Sequence, residues 1–251
     1  MRKIKKTIYT LLTNGFGEEL AKMTFPLIKM YANKIEADFY LINERKFPDK
    51  YPTYEKFQIW DLCKERQDDW SFFIDYDTMI HPDFFDPTAC LNKDTTCSGF
   101  VSDFTPLRFR PDEYFLRDGR FFGKGTWFIV FSDWCRDIFH PLNGEDISYE
   151  DAIKNMFPVM GELIKIKKTA ESLIDDYLVS RNIARFGLKH VLLADIAKVH
   201  NFQPGHAVQV NLPNGQVVNQ VDPFIAHDYN LSYDQKLVWA EQILKRWGIT
   251  I

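Results

Sequence analysis

The sequence predicts an α/β fold with a mostly parallel central sheet flanked by helices. Three observations carry that prediction. The segments through Ile74 read strand, helix, strand, helix, strand, the pattern of parallel strands joined by crossover helices. Two later segments, Phe72-Phe73-Ile74 and Trp127-Phe128-Ile129-Val130-Phe131, are near-continuous apolar runs of strand length. The chain has 251 residues, 45% hydrophobic and 16% aromatic with 22 Phe, which is ample for a large core and unlike a disordered composition. No repeat, linker or low-complexity segment interrupts it, so a single domain over 1–251 is expected.

The elements follow in order. Lys6 to Leu12 reads as a buried strand, closed by turn chemistry at Thr13-Asn14-Gly15-Phe16-Gly17. Leu27, Ile28, Tyr31 and Ile35 share one face of a helix, and Pro26 fits its first turn. Asp38 to Ile42 is a second strand. Thr53 is placed to cap a helix with Phe57, Trp60 and Cys63 on one face. Trp70 to Ile74 is a third strand. Thr96 to Val101 and Thr126 to Phe131 follow, with a loop or hairpin over Arg108 to Lys124 between them. Ser148 with Asp151 opens a helix. Thr169 is placed to cap the next, which carries Leu173, Ile174, Tyr177 and Leu178 and stops at Gly187. His190 to Ala194 is a short strand. Val208 to Leu212 and Gln216 to Val218 flank Pro213-Asn214-Gly215 as a hairpin. Ser232 with Gln235 opens a last helix that ends at Trp247-Gly248.

Charge and composition exclude several classes. With 31 Lys+Arg against 35 Asp+Glu, the surface as a whole does not attract nucleic acid. No apolar run reaches the roughly 18 residues of a membrane span, and Thr7 to Leu12 is too short and polar for a signal-peptide core. Cys63, Cys90, Cys97 and Cys135 show no metal-site spacing and read as free thiols of a cytoplasmic protein.

The chemistry concentrates at Asp75-Tyr76-Asp77. Positions i and i+2 of an extended chain point the same way, so both carboxylates face one point where the third strand meets solvent. Two such carboxylates repel unless a cation lies between them, and hard oxygen donors suit Mg²⁺ or Mn²⁺, which in turn bind phosphate oxygens. The plain alternative is two solvated Asp at a strand end. A dehalogenase-type nucleophile motif has the same Asp spacing but expects Thr or Val where Met79 stands.

Taken with its surroundings, this motif resembles nucleotide-sugar glycosyltransferases of the GT-A (Rossmann-like) fold, of the glycogenin and lipopolysaccharide galactosyltransferase type. Phe72-Phe73-Ile74-Asp75-Tyr76-Asp77-Thr78-Met79-Ile80 resembles the family's apolar-DxD-Thr-apolar motif. Tyr54-Glu55-Lys56-Phe57, Phe122 to Phe131, Ile174-Asp175-Asp176-Tyr177 and Phe224-Ile225-Ala226-His227 follow in the family's order. Asp176 departs from a usual Gln, and Phe122-Gly123-Lys124-Gly125 lacks the usual Asn. The resemblance implies a smaller antiparallel part beside the main sheet, a donor-binding part over about 1–100 and an acceptor part over about 101–251. It implies transfer of a sugar from a UDP-sugar with retention of configuration. Mn²⁺ is the implied cofactor, with Mg²⁺ as the alternative, held by Asp75, Asp77 and His227. His200 and His206 compete for the third position, while His81, just before Pro82, reads as a turn residue. Lys56 would contact the donor, and Asp175 or Asp176 would face its sugar.

At the carboxyl end of the first strand, Thr10, Leu12 and Thr13 are candidate nucleotide contacts together with Tyr76, and Asn43-Glu44-Arg45 could meet the base. Between Arg108 and Lys124, basic residues interleave with Phe109, Tyr114, Phe115, Phe121 and Phe122. That is either a charge-compensated surface or an acceptor surface for a glycan, another hydroxyl compound or a modified nucleic acid. Two rival functions remain. A nucleotidyltransferase would want a basic glycine loop where Asn14-Gly15-Phe16-Gly17-Glu18-Glu19 is acidic. A non-catalytic nucleotide-sugar binder would use the same donor residues without turnover.

Overall fold

The first strand, β1 (Lys6–Leu11), is buried along nearly its whole length because it pairs on both sides, parallel to β2 (Ala37–Ile42) and to β3 (Trp70–Ile74). The computed structural model describes residues 2–99, 113–118, 125–144, 146–156, 170–193, 195–196, 208–211, 217–220, 225–227 and 231–251. Among these, six strands form one sheet in the order β2-β1-β3-β6-β5-β7, where β5 is Thr95–Ser98, β6 is Phe128–Ser132 and β7 is Lys189–Leu192. Only β6 runs antiparallel to its neighbours, so the sheet is mostly parallel as expected. Two short antiparallel pairs stand apart from it. One joins β4 (Met79–Ile80) to β10 (Ile225–Ala226); the other joins β8 (Val208–Asn211) to β9 (Val217–Gln220).

Alternation along the strands divides the core in two. Trp70, Phe72 and Ile74 of β3, with Ile8, Phe128 and Val130, face helices α1 (Glu18–Lys34) and, later in the chain, Tyr233–Trp247. Tyr9, Leu11, Phe73, Ile129 and Phe131 face the other side, against a 3₁₀ turn (Pro52–Gln58), α2 (Ile59–Arg66) and the helix Ile174–Arg185. The remaining short helices are α3 (Glu113–Asp118) and α4 (Tyr149–Asn155), so Ile174–Arg185 is α5 and Tyr233–Trp247 is α6. No helix among the described residues is long and apolar enough to cross a membrane.

Several local expectations change. Pro26 lies inside α1, not in its first turn. The helix starts earlier because Leu20, Ala21 and Thr24 also bury, and their burial outweighs the hydrogen bond a mid-helix proline forfeits. Thr53 caps nothing: the chain enters a 3₁₀ turn behind Tyr51, with Pro52 at its start, and the Thr53 hydroxyl is buried without a partner. Within Arg108 to Lys124, the described residues 113–118 are helical, and the rest of that segment lies outside the described residues, as do Thr169 and the 213–215 turn.

Other expectations hold closely. Ser148 accepts from the Asp151 amide at the start of α4. Ser232 and Gln235 form a reciprocal capping box on α6, and Gly248 closes that helix with φ 68°.

Candidate functional site

Strand pairing brings the site together. β3 ends at Ile74, opposite Phe128 of β6, so the next residue, Asp75, donates its backbone N–H to the Trp127 carbonyl at 2.8 Å. The chain then turns, with the Thr78 amide donating to the Asp75 carbonyl at 3.0 Å. It returns as β4, whose partner is β10: Ala226 pairs with Met79, which delivers the following residue, His227, beside the carboxylate turn. Asp75, Asp77 and His227 each offer a ligand atom, and these lie within 4.8 Å of one another. His227 Nε2 is 3.3 Å from Asp77 Oδ1.

Two lysines complete the charge balance. Lys236, in the first turns of α6, ion-pairs with Asp77 Oδ2 and leaves Oδ1 turned to His227. Lys56, only 3% exposed, reaches from the 3₁₀ turn to Asp175 Oδ2 at 2.6 Å, Asp75 at 3.1 Å and the Thr126 hydroxyl at 3.2 Å. Thr126 in turn donates its hydroxyl to Asp175 at 2.5 Å and its amide to Asp176 Oδ1 at 2.9 Å.

Electrostatics separate the four carboxyls. Burial raises Asp77, but Lys236 and His227 more than offset it, holding the group well below the usual carboxylate range. Burial raises Asp75; Lys56 opposes the rise and Asp77 adds to it. Burial, then the neighbouring Asp175, pushes Asp176 up to about 8 against the pull of Lys56 and Thr126. Burial alone would lower Lys56, yet Asp175 and Asp75 reverse that and keep it charged. Lys56 and Lys236 thus sit among four acidic side chains, Asp75, Asp77, Asp175 and Asp176.

Lys56, Asp75, Asp77 and Lys236 border a cleft of about 550 Å³ at the carboxyl ends of β1 and β3. Leu12, Thr13, Lys56, Asp75, Tyr76 and Asp77, all candidates from the sequence, line it. Phe16, Tyr51, Tyr233 and Lys236 line it as well. Tyr76 is seated on Gly17, where a Cβ would come within 2.4 Å of its ring.

Other expectations do not reach the cleft. Thr10 is fully buried, does not line the cleft, and its hydroxyl has no partner. Arg45 is spent on Glu55 at 3.1 Å and on loop carbonyls, so it does not meet a base. His81 packs against Trp247, with ring centroids 5.2 Å apart, away from the carboxylates; His200 and His206 lie outside the described residues. Asp175 and Asp176 sit in the first turn of α5, not mid-helix, because the preceding turn is 3₁₀ and α-helix begins at Ile174. A helix N-terminus favours carboxylates. Neither lines the cleft; both stand one layer behind it.

Sequence reasoning missed Lys236, Thr126 and Trp127. Lys236 carried a readable signal, since a lysine near a helix N-terminus runs against the macrodipole and asks for a nearby acid.

The donor set fits a divalent cation. Ligands sharing an ion at about 2.1 Å lie roughly 3–4 Å apart, and the three candidate atoms here lie within 4.8 Å of one another. Two carboxylates with one imidazole can hold a divalent metal ion.

No protein-family model and no curated protein matches the chain. Solved structures similar to it at low identity include the following three. A glycosyltransferase involved in the glycosylation of the major capsid of PBCV-1 matches at 8% identity and TM-score 0.49, over 95% of this chain and 99% of that one. The galactosyltransferase LgtC, in complex with donor and acceptor sugar analogs, matches at 11% and 0.46, over 98% and 96%. The protein A197 from STIV matches at 12% and 0.40, over 87% and 95%. At such identity and overlap, activity has to be read from the residues themselves.

Proposed function

We propose that this protein is a metal-dependent glycosyltransferase that moves a sugar from a UDP-sugar to a hydroxyl acceptor, with retention of configuration. The observation that carries the proposal is the convergence of Asp75, Asp77 and His227, with both aspartates lining a cleft of about 550 Å³ that Lys56 and Lys236 also line. Two converging carboxylates beside two ammonium groups suit a cation followed by a diphosphate.

When bound, a divalent cation supplies Lewis-acid neutralisation of the leaving diphosphate. The chain's own groups do the rest. Lys236 adds a positive charge next to Asp77, where a departing phosphate gains charge. Lys56, pinned by Asp175 and Thr126, presents its ammonium beside Asp75 at a fixed position. Asp175 and Asp176 act by positioning Lys56 and Thr126, since Asp175 Oδ2 accepts from both and Asp176 Oδ1 accepts from the Thr126 amide. Leu12, Thr13 and Tyr76 form the wall for the nucleotide. No described carboxylate outside the metal set lines the cleft as a base; the departing phosphate itself would take the acceptor's proton. Four free thiols fit a cytoplasmic setting.

The loop after β1 leads into α1 through Glu18 and Glu19, an acidic first turn unlike the basic glycine loop a nucleotidyltransferase would want. A thermal-shift screen tests the donor class, because a ligand of the native state raises its melting temperature by mass action. A UDP-sugar with Mn²⁺ should raise it more than either alone. Equal shifts with and without Mn²⁺ for every nucleotide-sugar would count against the metal-bridged donor.

A further inference from the structure

We infer that Trp127 is a positioning residue for the candidate metal site, an inference that rests on the metal-binding reading above. Two of the three candidate ligands are held by this one residue. Its carbonyl accepts the Asp75 amide at 2.8 Å, which fixes the backbone from which that carboxylate projects. Its indole lies parallel to the His227 imidazole, with planes 2° apart and ring centroids 5.3 Å apart. Parallel rings at that separation are offset-stacked, a favoured aromatic arrangement.

The stack meets a specific need. His227 follows a strand of only two residues, so the β10 ladder sets where its backbone lies but does little to set its ring. The indole supplies the missing restraint and keeps Nε2 towards Asp77 Oδ1 at 3.3 Å. Groups behind a ligand that fix its orientation typically govern metal affinity about as strongly as a weak ligand does.

Gly99 makes the stack possible. A Cβ at Gly99 would lie 2.2 Å from Trp127 Cζ2, well inside contact distance. Glycine is required there for the room it leaves to the indole. Gly99 is itself tied to the sheet, its amide donating to the Phe128 carbonyl at 3.0 Å, so it cannot readily retreat. The chain therefore reserves space on β5's end for a side chain of β6's start, whose outer face carries the histidine.

Trp127 is also a core residue, so the test must separate orientation from stability. Mn²⁺ affinity is measured by titration calorimetry for the unaltered protein, Trp127→Leu, His227→Asn and the double variant. Trp127→Leu should weaken Mn²⁺ binding by about tenfold, and Trp127→Phe, which keeps a ring, should restore most of it. In the His227→Asn background Trp127→Leu should add little, because its effect runs through the imidazole.

Mn²⁺ quenching of tryptophan emission supplies a readout that tolerates a destabilised Leu variant: Trp127→Phe should remove most of the quenched signal. Mn²⁺ binding unchanged in Trp127→Leu, a full further loss in the His227→Asn background, or quenching that survives in Trp127→Phe would each overturn the inference. Absence of Mn²⁺ binding by the unaltered protein would overturn it together with the metal reading.

Discussion

Lys56 Nζ lies 2.6 Å from Asp175 Oδ2, a pair in which both side chains are almost fully buried. Burying two charges is costly, and mutual attraction with further hydrogen bonds has to offset it. Here Thr126 and Asp75 provide those bonds. Replacing Lys56 with Met leaves Asp175 without its cation and should cost about 3–5 kcal/mol of stability. Replacing both, as Lys56→Met with Asp175→Leu, should recover much of it. Urea denaturation checks both. The double variant should remain inactive, since the ammonium at the cleft is gone.

Asp77 is the point where Lys236, His227 and the proposed cation meet. Asp77→Asn keeps the shape of the side chain but removes its charge. Calorimetric titration should then find Mn²⁺ binding weakened by at least about 100-fold, more than loss of an outer-shell partner. A folded variant is expected, because the Lys236 beside it keeps some exposure to solvent.

Asp176 gives the fold a pH dependence whose sign can be worked out. An unfolded Asp titrates near 4, whereas burial beside Asp175 pushes this one up to about 8. The folded chain thus holds a proton that the unfolded chain releases in that window. The associated stability is complete below about pH 4 and declines as pH rises to about 8. Asp176→Asn retains an acceptor for the Thr126 amide and has no proton to lose. Its melting temperature should fall less between pH 5 and pH 9 than that of the parent. An identical fall in both proteins would contradict the assignment.

Gly17 sits at φ 89° with the Tyr76 ring against it. Gly17→Ala meets both a strained backbone and a steric clash, and should cost about 1–3 kcal/mol. Tyr76 lines the cleft, so donor affinity should fall with stability. Gly17→Ala in a Tyr76→Leu background should cost less, which separates the clash from the backbone strain.

The middle of the main sheet was readable because β3 and β6 are buried on both faces and so appear as unbroken apolar runs, as at Phe72-Phe73-Ile74. Asp75 and Asp77 were readable because acids are rare directly after such a run. The pairing of β10 with β4, which seats His227, involves two residues on each side and leaves no periodicity. Thr126 and Trp127 were hidden for another reason. Their roles depend on which residue of β6 faces Asp75, a register set by tertiary pairing. The placement of Pro26 misled because a proline reads as a helix start, while burial of the preceding turn decided otherwise.

The most direct measurement is release of nucleoside diphosphate from a panel of nucleotide-sugars, made with Mn²⁺, with EDTA and with Asp77→Asn. Turnover of a UDP-sugar that requires Mn²⁺ and disappears in Asp77→Asn is the expected result. No turnover of any nucleotide-sugar across a panel of hydroxyl acceptors, or turnover that survives in both EDTA and Asp77→Asn, would contradict sugar transfer at this metal site.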